Sequence, residues 1–285
     1  MTAEREIAAA RRILVALDAS PESLAALDHA ASLAARLQAE LEGLFVEDED
    51  LLNLARQPFA REVSRLTNIA RSLNQATLEE DLRNQAALAR RALRQKAEAL
   101  RLRWSFRVVR GRLEGVIQSA SASADLVAMG RRRQTIGGEA LGRTSASMAR
   151  RLTCSVLMAL PQQERPDAPV ATVYLDSPCG SAALDLAVRT AREEHRPLLI
   201  IVPAKDRAEY ETRRQAIEKG LHAEAKAIRV RPAIGPDGHT LKRALQQEQL
   251  QLLVLGCDLA GQLPQELAEF AAIANCPVLV MRGSL

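Results

Sequence analysis

Apolar runs closed by a polar residue recur along this chain, and their spacing predicts its elements. Arg12-Ile-Leu-Val-Ala-Leu-Asp18 is apolar until an acid ends it, the form of a strand buried on both faces of a parallel sheet. Ala19-Ser-Pro-Glu-Ser23 then supplies a helix start, with Ser20 as N-cap and Pro21 at the first helical position. Leu24, Leu27, Ala31 and Ala34 continue at helical spacing toward Gln38. Residues 41–46 predict a second strand, 104–109 a third, 124–129 a fourth and 154–160 a fifth. Between the second and third, residues 51–101 read as a long helical insertion. Leu78, Leu82, Ala86, Ala89, Leu93, Ala97 and Leu100 form one amphipathic stripe within it, and residues 58–63 ahead of the stripe read as a short separate helix or loop. Leu113, Val116 and Ile117 share a helical face, and residues 146–152 read as a further helix. Right-handed crossovers would join the five strands into one parallel sheet.

The pattern then repeats. Pro161-Gln-Gln-Glu-Arg-Pro-Asp-Ala-Pro169 is polar, Pro-rich and without periodicity, so it predicts a linker. Beyond it, Thr172-Val-Tyr-Leu-Asp176 matches Leu14-Val-Ala-Leu-Asp18, and Ser181 stands as far beyond Asp176 as Ser23 does beyond Asp18. Leu252-Leu-Val-Leu-Gly256 matches Leu126-Val-Ala-Met-Gly130, and Cys276-Pro-Val-Leu-Val280 matches Cys154-Ser-Val-Leu-Met158. The first copy holds 32 more residues between its Asp18 and Gly130 than the second between Asp176 and Gly256; the insertion accounts for them. The expectation is an α/β protein of two tandem doubly wound, Rossmann-like domains, each with a five-stranded parallel sheet. They span residues 11–160 and 170–282, joined by the linker 161–169. The closing strands, residues 156–160 and 278–281, would each leave an exposed apolar edge, so their pairing within the chain, as a pseudo-dimer, is expected; a homodimer of two chains is the further possibility.

Composition narrows the function classes. A chain of 285 residues, 47% hydrophobic and 26% charged, suits soluble domains with sizeable cores. Its net charge of +4 permits anionic partners, but 2% aromatic residues is little for a nucleic-acid surface, which sets basic residues beside stacking rings; no nucleic-acid partner is expected. No apolar run reaches the ~18 residues of a membrane span, so no membrane partner is expected either. Met1-Thr-Ala-Glu-Arg-Glu carries acids and no apolar core, which predicts no secretory leader. Cys154, Cys179, Cys257 and Cys276 lie far apart with no metal-ligand spacing, as in a reduced cytoplasmic protein. Glu47-Asp-Glu-Asp50 reads as a solvated acidic turn, the alternative being a metal site.

The chemistry-bearing stretch is Gly130-Arg-Arg-Arg-Gln-Thr-Ile-Gly-Gly-Glu-Ala-Leu-Gly142-Arg-Thr-Ser145. It lies between a strand and a helix, where unpaired N–H groups and the helix dipole favour anions. Together with the strand-ending Asp18 and the tandem copies, it resembles the universal stress protein family in its tandem two-domain form. The resemblance implies a doubly wound fold and a role in stress response. It also implies, for some members, ATP held by a strand-one Asp and a loop of the form G-x2-G-x9-G-[ST]. Asp18, Gly130 and Gly142 match that site. The second loop glycine is replaced by Arg133, the spacer before Gly142 is one residue short, and Arg143 stands where Ser or Thr is expected. Two readings follow: Arg131, Arg132, Arg133 and Arg143 hold an anion in an altered mode, or they form a solvated loop at a lapsed site. In the second copy Asp176 remains, but Gly256-Cys-Asp258 brings an acid where phosphate would sit, and Gly261 is followed by Gln262, so no nucleotide site is expected there.

No catalytic constellation stands out. His29, His195, His222 and His239 are isolated, Ser23 and Ser181 suit a helix's first turn, and Cys154 and Cys276 open buried strands. The leading expectation is a cytoplasmic stress-response protein that binds and regulates through unknown protein partners and is not an enzyme. The alternative is an ATP-binding switch with slow hydrolysis in the first domain; an adenylating enzyme is a third.

Overall fold

The computed structural model describes residues 12–57, 61–63, 70–72, 74–131, 148, 151–161, 167–221, 227–235, 238–257 and 274–282. The first half runs β1 (Arg12–Ala16), α1 (Pro21–Leu37), β2 (Glu40–Asp48), α2 (Glu49–Ala55), β3 (Arg61–Val63), β4 (Ala70–Ser72), α3 (Gln75–Ala99), β5 (Trp104–Gly111), α4 (Leu113–Ser121), β6 (Leu126–Gly130) and β7 (Ser155–Ala159). The second runs β8 (Val170–Val173), α5 (Pro178–Glu193), β9 (Leu198–Ala204), α6 (Arg207–Gly220), β10 (Ile228–Ile234), α7 (Gly238–Gln246), β11 (Leu252–Cys257) and β12 (Val278–Arg282).

All the large strands lie in one ten-stranded sheet, ordered β10-β9-β8-β11-β12-β7-β6-β1-β2-β5. Each half contributes five parallel strands in the order third, second, first, fourth, fifth. The two halves meet where β12 pairs antiparallel with β7, Val278 opposite Met158, Leu279 opposite Leu157 and Val280 opposite Val156. These residues are almost wholly buried, so the seam is sheet interior on both faces. Strands with continuous apolar runs need helices over both faces, and the core accordingly splits into two layers. One packs the inner stripes of α1, α3, α5 and α6 and runs across both halves through Leu157 and Leu279. The other packs α4 and α7 with Met148 and Leu152. Across the seam side, Arg36 near the end of α1 pairs with Glu193 (3.4 Å) and with Glu194 near the end of α5.

The stretch 51–101 is more varied than one insertion. Its long amphipathic helix is α3, with Leu82, Ala86, Ala89, Leu93 and Ala97 buried. This helix makes the β2-to-β5 crossover, as α6 makes the crossover from β9 to β10 in the second half. The surplus of the first half is therefore α2, the antiparallel β3–β4 pair and the extra length of α3. Residues 61–63 form a strand where a short helix or loop was expected; the Arg61-Glu-Val63 run finds its partner in residues 70–72, and residues 58–60 lie outside the described segments. The acidic stretch 47–50 is not a turn either. Glu47 and Asp48 continue β2, Asp48 caps α2 by accepting from the Asp50 N–H, and Glu47 and Asp50 pair with Arg110 (2.8 Å) and Arg112 (3.5 Å). Among the described residues no group of three or more His, Cys, Asp or Glu side chains could hold a metal ion, and no helix is long and apolar enough to cross a membrane.

Candidate functional site

In each half the strand order reverses between the first and fourth strands, and the crevice outside their C-terminal ends is where an α/β sheet of this kind takes ligands. In the first half β1 and β6 are neighbours, with Ile13 opposite Leu126 and Val15 opposite Ala128. Asp18 and Gly130 therefore stand side by side at the mouth of that crevice. Arg133, Gly142 and Arg143 lie outside the described residues, as does Arg132.

Local chemistry builds the turn after β1. Ser20 caps α1 and accepts from the Ser23 N–H, with Pro21 following as N1. The Ser20 N–H (3.0 Å) and hydroxyl (2.5 Å) both donate to Asp18 Oδ1, so this carboxylate organises the turn that precedes the cap. Ala19 between them sits at φ 60°, a left-handed conformation that a residue with a Cβ adopts at a cost. The buried Ser23 hydroxyl closes the unit, accepting from the Asp18 N–H at 3.3 Å and donating to the Ser20 carbonyl. Asp18 is exposed.

Gly130 is explained by packing. A Cβ placed on it would come within 2.7 Å of the Glu22 carbonyl carbon and of the Ser23 nitrogen: strand β6 meets the first turn of α1 backbone to backbone, and nothing larger than hydrogen fits. The second half repeats this packing. A Cβ on Gly256 would come within 2.6 Å of Cys179 and of the Gly180 nitrogen, in the first turn of α5. The glycine that the sequence assigns to phosphate is thus held by helix packing in both copies. The same contacts correct the alignment of the copies. Ser177, one residue after Asp176, caps α5 by accepting from the Gly180 N–H, whereas Ser20 stands two residues after Asp18. The structural counterpart of Ser23 is therefore Gly180, not Ser181.

Arg131 is not a loop arginine. It is buried, its N–H continues the β6–β7 pairing by donating to Ala159, and its guanidinium donates to the carbonyls of Ala274 and Cys276 (2.9 Å for the latter). Both belong to the segment entering β12, so the start of the loop is tied to the other half of the molecule. No sequence signal marks this role, because the partners are more than a hundred residues away. The thiols near the seam are quiet: burial pushes Cys154 up to about 11 and Cys276 up to about 12, the latter against the opposing pull of Arg131. His195 is exposed at the left-handed residue that ends α5, a helix-terminating position.

The profile of the universal stress protein family matches residues 9–160, more than half of the chain. The chain belongs to the universal stress protein family. A universal stress protein from Archaeoglobus fulgidus DSM 4304 superposes with a TM-score of 0.69 at 18% identity, covering 96% of this chain and 99% of that one. A second, described as a putative universal stress protein from Pseudomonas aeruginosa UCBPP-PA14, does so at 0.62 and 17%, covering 97% and 95%. At these identities the likeness is one of fold, and it extends over both halves. No curated protein matches the sequence.

Proposed function

We propose that this universal stress protein is a cytoplasmic, non-enzymatic binding and regulatory protein of the stress response, in which the first half carries a degenerate nucleotide cleft and the second half none. The observation that supports this most is the use of Gly130 and Arg131. One fills a backbone contact with α1 and the other is drawn into the second half, so two residues at the head of the phosphate loop serve the fold. Asp18 is retained at the crevice but is engaged with Ser20. In the second half Asp176 lacks the two-residue approach to its cap that Asp18 has, and Gly256 is again accounted for by packing. Equilibrium dialysis with labelled ATP tests the reading. The expected result is no saturable binding at micromolar ATP, and no difference between the natural chain and Asp18→Ala. Micromolar binding abolished by Asp18→Ala would instead make the first half an ATP-binding switch.

A further inference from the structure

One cavity among the described residues shares no lining residue with the β1–β6 crevice. It is an open groove of about 1040 Å³ between α3 and β5, at the outer edge of the ten-stranded sheet. Its floor is the face of β5 turned toward α3, where Trp104, Phe106 and Val108 follow one another at the period of a strand. Its wall is a stripe of α3: Arg83, Arg90 and Arg94 lie at i, i+7 and i+11, with Arg91 beside them. Arg94 pairs with Glu98 at 3.4 Å, while Arg83, Arg90 and Arg91 have no ion pair among the described residues.

Three features choose the occupant. First, β5 ends the sheet, so one side of its eight-residue backbone has no strand partner among the described residues. The opposite edge strand, β10, carries Pro232, which removes a donor; β5 has no proline. Second, the charges on β5 do not guard its edge. Arg107 and Arg110 are turned back to Glu42 (2.6 Å) and Glu47 (2.8 Å) of β2, leaving the outer side to be paired. Third, Trp104 and Phe106 are half-buried against the core below and belong to a shelf of apolar contact, whereas a nucleic-acid surface presents exposed rings for bases to stack on.

We infer that this groove is a docking site for an extended, acidic segment of a partner protein, which adds as a strand to β5 and lays its carboxylates against Arg83, Arg90 and Arg91. Main-chain pairing supplies the register; the alternate side chains on the groove side lay their methylene stems on the apolar shelf and their carboxylates against the guanidinium row, which selects against basic or neutral segments. The inference is independent of the nucleotide cleft.

The test uses the full chain and a fluorescent peptide of alternating glutamate and valine, flanked by prolines to prevent its self-assembly. Saturable binding is expected, weakened by salt, and reduced about tenfold or more in the charge-reversed double variant Arg90→Glu with Arg91→Glu. Both residues are exposed, so circular dichroism should show the fold intact. Val108→Pro should also weaken binding, while Arg90→Lys with Arg91→Lys should largely preserve it. The proposal is overturned if a lysine–valine peptide binds as well or if the charge reversal leaves binding unchanged. It is equally overturned if single-stranded oligouridylate competes better than the acidic peptide, or if sedimentation shows the groove occupied by a second copy of this chain in a dimer that the same reversal dissolves.

Discussion

Gly130 shows how a residue can look like part of a binding site and be needed for another reason. Its missing Cβ leaves room for the backbone of Glu22 and Ser23, and backbone cannot swing aside as a flexible side chain can. Gly130→Ala should therefore lower stability by about 1–3 kcal/mol, as overpacking of a tight interior does, read as a lower urea midpoint without ATP present. Arg131→Met keeps the length of the side chain but removes its donors, leaving the Ala274 and Cys276 carbonyls without them; a loss of about 1–3 kcal/mol is expected. The thiols give a pH prediction. Cys154 and Cys276 ionise at about 11 and about 12 in the fold, against 9.0 for a free thiol. Their contribution is fully present below pH 9 and is lost as pH rises through 9 toward 11 and 12, because the unfolded chain gives up these protons first. The urea midpoint should fall between pH 8 and pH 10, and less so in Cys154→Ala. What was legible at this scale was local: Ser20, Pro21 and the turn around Asp18 follow from neighbours in sequence. Gly130 and Arg131 were not, since their reasons lie in α1 and in the segment before β12.

At the scale of elements, periodicity carried far because the strands are buried on both sides and the helices on one. β1, β2, β5, β6 and β7 fall where the apolar runs place them, and α3 where its stripe does. The departures have a common cause. A short run such as Arg61-Glu-Val63 takes its structure from its partner, residues 70–72, and the acids of 47–50 from Arg110 and Arg112. Helix capping and strand register also proved a better guide to equivalence between the copies than counting from the aspartate, because Asp176 stands one residue later than Asp18 relative to both, which moves Ser181 out of register with Ser23. The element with the sharpest prediction is the β7–β12 seam. Leu157 and Leu279 oppose each other there, each 2% exposed. Leu157→Ala should cost about 2–5 kcal/mol, the range for emptying a packed core position. Trp104 reports on the first half, and Tyr174 and Tyr210 on the second. Their urea transitions should shift together in this variant, since the substitution weakens a strand pair that both halves share. A shift confined to Trp104 would show that the halves unfold independently.

The whole molecule is two like halves joined edge to edge, and Arg131, the Arg282 N–H to the Ser155 hydroxyl (3.1 Å) and the Arg36 pairs with Glu193 and Glu194 are polar ties between them. Its organisation into copies was readable because the apolar strands and the glycines that end β6 and β11 recur, although the register of β1 on β6 and of β8 on β11 sets Leu175, not Asp176, in the place of Asp18; the groove on β5 was not, because Arg90 and Trp104 become neighbours only when α3 crosses back over the sheet. The central claim is that the head of the phosphate loop in the first half is a joint of the fold. Urea unfolding of the natural chain and of Gly130→Ala, each with and without millimolar ATP, tests it most directly, since a ligand that binds only the folded state must raise the midpoint. The account predicts that Gly130→Ala unfolds at lower urea than the natural chain and that ATP moves neither midpoint. An ATP-dependent rise in the natural chain, lost in a Gly130→Ala protein of otherwise undiminished stability, would contradict it.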